Sequence, residues 1–289
     1  MRCGVTHMPT LPRDMSTSTF RVIAWNCHGV VSGKAAFWEY FLDQNADLAL
    51  LQEVNSIPDY VVSAYSVKAE KAVTKAGGKQ RFSTCLLSKF PIAKAPTLTS
   101  DKQWVNNELE HFRGNLVSGR VEMQHSQINA ISVYNPAWHI ARERIFSYET
   151  TGVRLTQQGR DVWVCDILWS ALRGVCQSDK LWIVGGDFNL SETFDAWAGG
   201  PHGNKEYLDR MTDLGLVECL RKHQGQLTPT FKNPRGGKIV HQIDHTWVSA
   251  SLADCLVECR TPPTDEIFDV GLSDHLPIIS DFDLSKLAS

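Results

Sequence analysis

Seven residues of this chain are of types that can bind hard cations or move protons, and each stands at or just past the end of an apolar run. Asn26 closes RVIAWN, Glu53 follows ADLALLQ, Asp187 and Asn189 lie in LWIVGGDFN, Asp244 ends IVHQID, and Asp274 and His275 adjoin in SDHLP. An apolar, β-prone run that stops at an acid or amide reads as a buried strand delivering a polar group to the edge of a sheet. The last of the five segments fits this pattern more loosely than the others. One such ending is ordinary. Five in one chain point to a single convergent site whose chemistry is metal-assisted hydrolysis of a phosphate ester.

The residue types divide that chemistry. Acids at strand ends suit Mg2+ or Mn2+, which prefer oxygen ligands. Glu53 follows the most apolar strand, with Gln52 placed to orient it, and Asn26 offers a neutral oxygen. In GGDFN, Gly185 and Gly186 permit tight backbone geometry. Asp187 and Asn189 are two apart, so an extended chain turns both to one side, toward one phosphate or one attacking water; an Asx-turn is the structural alternative. In SDHLP the acid and imidazole face opposite ways if extended, one to a metal and one to a phosphate. His275 needs an orienting partner for its second nitrogen, and Asp244 is the candidate. His245 competes for the imidazole role but lies within an expected strand facing the core.

The elements that must hold these groups follow from periodicity. Residues 34–45 carry Ala35, Trp38, Phe41 and Leu42 at helical spacing, so RVIAWN, this helix and ADLALLQEV make a strand–helix–strand unit ending at Glu53. A second unit runs from Tyr134, at the tip of INAISVYNP, through a helix in the second half of 139–177 to LWIVGGD. Further strands are expected at 83–93, 118–124, 238–249 and 276–284, and a helix at 205–221 with Gly215 a local break. Residues 66–82 are polar and basic around Gly77-Gly78 and read as a loop. No Pro-, Gly- or Ser-rich linker divides the chain, so residues 19–289 read as one domain. Residues 1–18 read as a disordered tail, with Met15 a plausible alternative start.

The ordered set WN, QE, VYNP, GDFN, QIDH and SDHLP resembles the endonuclease/exonuclease/phosphatase superfamily from about residue 20 to residue 283. The resemblance implies a four-layer α/β sandwich, two β-sheets packed together and flanked by helices. It implies that Glu53 binds a divalent cation, Mg2+ or Mn2+, with help from Asn26 and Asp274. Asp187 would position or deprotonate the attacking water, Asn189 would hold the water or phosphate, and His275, oriented by Asp244, would contact the scissile phosphate. Whether Asp187 or His275 is the formal base stays open. Tyr134, in a YxP-like motif, matches the exonuclease III-like, apurinic-site and retroelement nucleases, whereas lipid and inositol-phosphate branches generally carry His there. The expected activity is therefore a metal-dependent phosphodiesterase, a nuclease acting on DNA. A phosphatase or phosphodiesterase for a small molecule or lipid headgroup is the rival within hydrolases, and a non-catalytic binding protein of the same fold the rival outside them.

Bulk properties bound these readings. The formal net charge is −3 and the pI about 6.4, so nucleic-acid binding requires local basic patches. Candidates are Lys68, Lys71, Lys75, Lys79 and Arg81 in one loop, Arg142 and Arg144 after Tyr134, and Lys232, Arg235 and Lys238 before QIDH. Trp104, Trp138 and Trp197, near expected loops, are candidates for stacking on bases, with core packing the alternative. Eight cysteines without a CxxC pair read as reduced thiols, hence a cytoplasmic, reducing setting. No apolar run reaches membrane-spanning length. Nothing demands an obligate partner, and a monomer is expected.

Overall fold

The computed structural model describes residues 19–124, 126–176, 180–196 and 202–288. The expected tail at 1–18, and Trp197, lie outside these residues. Among the described residues there are fourteen strands: β1 (Thr19–Val30), β2 (Leu48–Val54), β3 (Ser66–Val73), β4 (Lys79–Ser88), β5 (Ile92–Ala93), β6 (Leu116–Glu122), β7 (Gln127–Tyr134), β8 (Leu181–Asp187), β9 (Leu216–Glu218), β10 (Phe231–Lys232), β11 (Ile239–His241), β12 (Asp244–Ser249), β13 (Leu256–Arg260) and β14 (Ile278–Asp283). Twelve of them form two six-stranded mixed sheets, ordered β13-β14-β1-β2-β4-β3 and β5-β6-β7-β8-β12-β9.

Each sheet is built around one parallel pair, β1 with β2 and β7 with β8. A parallel pair needs a crossover, and helices Ala35–Asp43 and Val164–Val175 lie within the two crossovers. Inward-facing side chains of both sheets share one core, including Val22, Leu48, Leu50 and Leu86 from the first and Val117, Ile128, Ile183 and Val248 from the second. The outer face of the first sheet packs Ile23, Trp25 and Leu51 against Phe37, Trp38 and Phe41 of its helix. The outer face of the second packs Ile131 and Val184 against Ile167, Leu168 and Tyr207. Each such fully buried side chain contributes about 1.5–3 kcal/mol. The result is the α/β/β/α sandwich implied by the motifs. β2 reads as a continuous apolar run because it is covered on both faces.

Several local expectations change. Residues 66–82 are not a loop: β3 and β4 form an antiparallel hairpin whose turn runs through Gly77 at φ 84°. β3 is polar because it is an edge strand with much of its length open to solvent. The expected helix 205–221 is split at Gly215, φ 79°, into helix Asn204–Asp213, strand β9 and the short helix Cys219–Gln224. The expected strand 238–249 breaks into β11 and β12 at Gln242-Ile243. Phe37, not Ala35, completes the buried stripe of the first helix. Trp104 is buried on helix Gln103–His111, and Trp138 packs on Phe112 at 6.1 Å between ring centroids, so both serve the core.

Candidate active site

The parallel pairs and their neighbours bring the expected residues to one end of the sandwich. Across the second sheet, strand register places Tyr134 beside Asp187 and Asp187 beside Asp244. Across the first, Asn26 pairs with Gln52, one residue before Glu53. Gly186 makes the join possible. At φ 137°, an added Cβ would lie 2.3 Å from the Val133 carbonyl and 2.6 Å from Gln52 Nε2. Gln52 does not orient Glu53, as its position suggested. Its Nε2 crosses between the sheets to donate to Ser132 Oγ at 2.9 Å, fixing the two sheets just beneath the site.

Asp187 is 1% exposed. It accepts hydrogen bonds from Asn26 Nδ2 (2.9 Å), Asn189 N (2.8 Å) and Asn189 Nδ2 (3.0 Å). Asn189 reaches it through an Asx-turn at φ 48° rather than an extended chain, so the two side chains converge by a different route from the alternation expected. The Asn189 amide also donates to the Asn135 carbonyl at 2.8 Å. Asn135 is in turn locked by Phe188 O and the Cys165 amide.

His275 Nδ1 lies 3.0 and 2.9 Å from the two oxygens of Asp244, both residues being buried. Thr230 Oγ1 donates to Asp244 at 2.7 Å, and Trp25 Nε1 donates to the His275 carbonyl at 2.8 Å. The ring of Phe231 lies 4.9 Å from that of His275. With Nδ1 committed to Asp244, Nε2 is the nitrogen left to face substrate. Burial pulls the His275 pKa down, but the charge and hydrogen bond of Asp244 with the charges of Asp187 and Asp274 outweigh it, and the imidazolium is favoured. Burial pushes Asp187 above the usual carboxylate range against the opposing charge of His275. Burial, then the charges of Glu53 and Asp187, push Tyr134 up, so it stays a neutral phenol. His245 is out of the site. It is 1% exposed, with Nε2 donating to Leu190 O at 3.2 Å and its ring against Phe188, and burial lowers its pKa.

Glu53 and Asp274 are half-buried at the mouth. Asn26 Nδ2 donates to Glu53 at 3.2 Å, while its oxygen accepts the His28 amide at 3.0 Å. Asn26 therefore presents its nitrogen, not the oxygen expected of a ligand, and links Glu53 to Asp187. Ser273 Oγ donates to the Asn26 carbonyl at 2.7 Å and accepts the His275 amide, holding Asp274 beside it. Asp274 Oδ1 is buried and pairs with His28 Nδ1 at 2.9 Å. Glu53 and Asp274 supply the hard oxygens that Mg2+ or Mn2+ takes.

Donor atoms of Asp187, Asp244 and His275 also lie within 4.8 Å of one another. With the imidazole charged the cluster handles protons, because an imidazolium has no free lone pair to offer; with the imidazole neutral its donor atoms could hold a cation. Among the described residues, three of the four non-glycine residues with positive φ border the site: His28 (48°), Glu53 (55°) and Asn189 (48°). Backbone strain of this kind, on the order of 1–3 kcal/mol per residue, collects where geometry serves function.

Asn135, Thr230, Ser273 and His28 were not singled out from the sequence. Asn135 was visible in VYNP. Ser273 was likewise visible in SDHLP, whereas Thr230 acts from a loop and gave no signal. Of the basic candidates, Arg142 and Arg144 are tied to Asp161 (2.7 Å) and Glu108 (3.0 Å), and Lys68 to the Ser118 carbonyl (2.6 Å). Among the described residues no helix is long and apolar enough to cross a membrane, and the seven cysteines are unpaired.

A family model described as the Endonuclease/Exonuclease/phosphatase family matches residues 23–275. No curated protein matches the chain. Solved structures of similar fold include an AP endonuclease from Archaeoglobus fulgidus, at 17% identity and TM-score 0.67 over 91% of this chain and 99% of that one. An AP endonuclease from Leishmania major aligns at 18% identity and TM-score 0.63, over 96% and 92%. A 3' phosphatase from Neisseria bound to product DNA hairpin aligns at 16% identity and TM-score 0.63, over 91% and 99%.

Proposed function

The chain belongs to the Endonuclease/Exonuclease/phosphatase family, and from that premise we propose that it is a nuclease that hydrolyses phosphodiester bonds in DNA with Mg2+ or Mn2+. One observation carries the reading: a buried Asp244–His275 pair stands beside buried Asp187, at the end of the sandwich where Glu53, Asp274 and Tyr134 also converge. A hydrolase of phosphate esters needs an acceptor for the proton of water and a donor for the phosphate charge, and this cluster holds both.

Glu53 and Asp274 hold the cation, which when bound neutralises charge on the scissile phosphate. Asp187, fixed by three hydrogen bonds, takes the proton of the attacking water, and Asn189 holds that water in line. His275, charged and aimed by Asp244, donates through Nε2 to a phosphate oxygen as negative charge develops there. Tyr134 donates to a second oxygen. With these groups fixed by the two sheets, the entropy of alignment is met before reaction. DNA as the substrate class is supported by Tyr134 in place of His, and by similar structures that include AP endonucleases and a DNA-bound 3' phosphatase.

The test is an assay of purified protein and its Glu53→Ala variant on plasmid DNA, an abasic-site duplex and a chromogenic phosphodiester, with Mg2+ or EDTA. Cleavage of DNA that needs Mg2+ and is lost in the variant is expected. Cleavage of the small ester alone would replace DNA with a small-molecule or lipid-headgroup substrate.

A further inference from the structure

A pocket of about 270 Å³ opens beside Asn189, and the proposed reaction leaves it unused. Asn189, which fixes Asp187, and Asn135, whose carbonyl fixes Asn189, both belong to its wall. Trp163, Phe194, His202 and Gln158 also line it. Whatever fills this space therefore stands next to the reaction centre. Neither His275 nor Phe231 lines it, so it is separate from the nitrogen that His275 presents to the phosphate.

The walls are set by bonds of their own. The Trp163 amide donates to Asp166 Oδ2 at 2.8 Å and the Cys165 amide to Asn135 Oδ1 at 3.0 Å, which fixes the start of helix Val164–Val175 against Asn135. The Thr156 amide donates to Glu206 Oε2 at 2.9 Å and the His202 amide to Asp195 Oδ1 at 2.8 Å, which fixes the segments that carry Gln158 and His202. A preformed concave site with aromatic walls and a few polar groups is the usual form of a ligand pocket. No Lys, Arg, Asp or Glu lines this one, so it is not built for a phosphate or a hydrated cation. Gln158 Oε1 and Trp163 Nε1 are buried without hydrogen-bond partners, one acceptor and one donor that a neutral ligand would satisfy. At about 30 Å³ per water the space holds about nine waters, close to the roughly eight to eleven heavy atoms of a nucleobase.

We propose that this pocket takes an unpaired nucleobase of the bound DNA, stacked on Trp163, and so selects DNA with an unpaired nucleotide beside the scissile bond. The inference rests on the reading of the chain as a nuclease. A base inside a duplex has its faces stacked and its edge paired, and extruding it costs least where it is mismatched or already single-stranded. Every base has a π-face, so aromatic walls accept it without reading sequence. Its freed edge meets the acceptor of Gln158 and the donor of Trp163. Fully paired DNA must first give up a base, and the pocket turns that cost into selectivity.

The experiment measures binding apart from turnover, in EDTA and again with Ca2+. The probes are DNA duplexes carrying 2-aminopurine paired with thymine, unpaired at the centre, or unpaired at a 3' end. Wild type is compared with Trp163→Leu and Gln158→Leu, and melting temperatures check the folds. Gln158→Leu removes an acceptor that has no partner and leaves no other group unsatisfied, so it keeps the test open where Trp163→Leu does not fold. The wild type should bind at least one unpaired duplex more tightly than the paired one and quench its fluorescence. Trp163→Leu should lose the quenching and about 5- to 150-fold of that affinity, the effect of one base–aromatic stack. Gln158→Leu should lose about 2- to 10-fold, the effect of one hydrogen bond. Equal wild-type affinity for paired and unpaired DNA, or a preference unchanged in every folded variant, would overturn the proposal. The preference in a protein that cleaves none of these duplexes with Mg2+ would refute the nuclease reading and leave the pocket standing; cleavage without the preference would do the reverse.

Discussion

The two halves of the sandwich repeat one plan and end in different chemistry. In the first, β1, a helix and parallel β2 lead to Glu53; in the second, β7, a helix and parallel β8 lead to Asp187. Each pair is central to its sheet and flanked by antiparallel strands. What differs is access to water at the tip. Glu53 is half-buried on a left-handed backbone and meets one amide donor, Asn26. Asp187 is 1% exposed, accepts three hydrogen bonds and faces an imidazolium. The same scaffold thus delivers one acid that a hydrated ion can reach and another whose proton affinity is set by burial. In the proposed mechanism burial, more than residue type, divides the roles.

The largest effect that would sharpen this contrast is on turnover. Asp187→Asn and His275→Asn should each lower kcat by about 10²- to 10⁴-fold, as expected for loss of a positioned acid or base, with melting temperatures near wild type. Unchanged kcat in both folded variants would break the assignment of proton handling to the second half.

A pH profile gives the next effect. Asp187 must be ionised and lies above the usual carboxylate range, so the acid limb should fall above the ordinary value of about 4. His275 must be protonated and is raised, so the alkaline limb should lie above about 6.5. Asp244→Asn removes the charge that holds the imidazolium, and the alkaline limb of kcat should move to lower pH. A limb that stays in place would show that another group titrates there.

The smallest effect concerns stability. Asp166 in helix Val164–Val175 is a further buried acid of the second half. Its Oδ2 accepts the Trp163 amide at 2.8 Å, Oδ1 has no partner, and burial raises its pKa to about 7. Because the folded value is raised above the unfolded one near 3.9, its cost is absent below pH 3.9, grows as pH rises between the two values, and is complete above 7. Asp166→Asn should therefore raise Tm at pH 8 and change it little at pH 4. A gain of equal size at both pH values would contradict the burial argument.

Much of this site was legible because Asn26, Glu53, Tyr134, Asp187 and Asp244 lie at the ends of strands, and strands announce themselves by apolar runs. His275 was legible from its neighbours in SDHLP, and the four-layer architecture from the ordered motifs. What escaped depends on pairing and backbone conformation. β3 looked like a loop because an edge strand has little apolar side chain to show. Gly215 looked like a break in one helix, and marks a passage from helix to strand to helix. The Asx-turn of Asp187, the outward nitrogen of Asn26 and the cross-sheet bond of Gln52 rest on φ angles and on partners that residue type alone does not reveal. Thr230 and Ser273 reach Asp244 and His275 from loops, where residue type alone carries no direction.

The central claim, that the half-buried acids of the mouth hold the cation while the buried cluster moves protons, is tested most directly by Mg2+ calorimetry on the wild type, Glu53→Gln and His275→Asn. The division of roles predicts that Glu53→Gln loses most of its Mg2+ affinity and His275→Asn retains it. The opposite pattern would place the ion among Asp187, Asp244 and His275 and contradict the account.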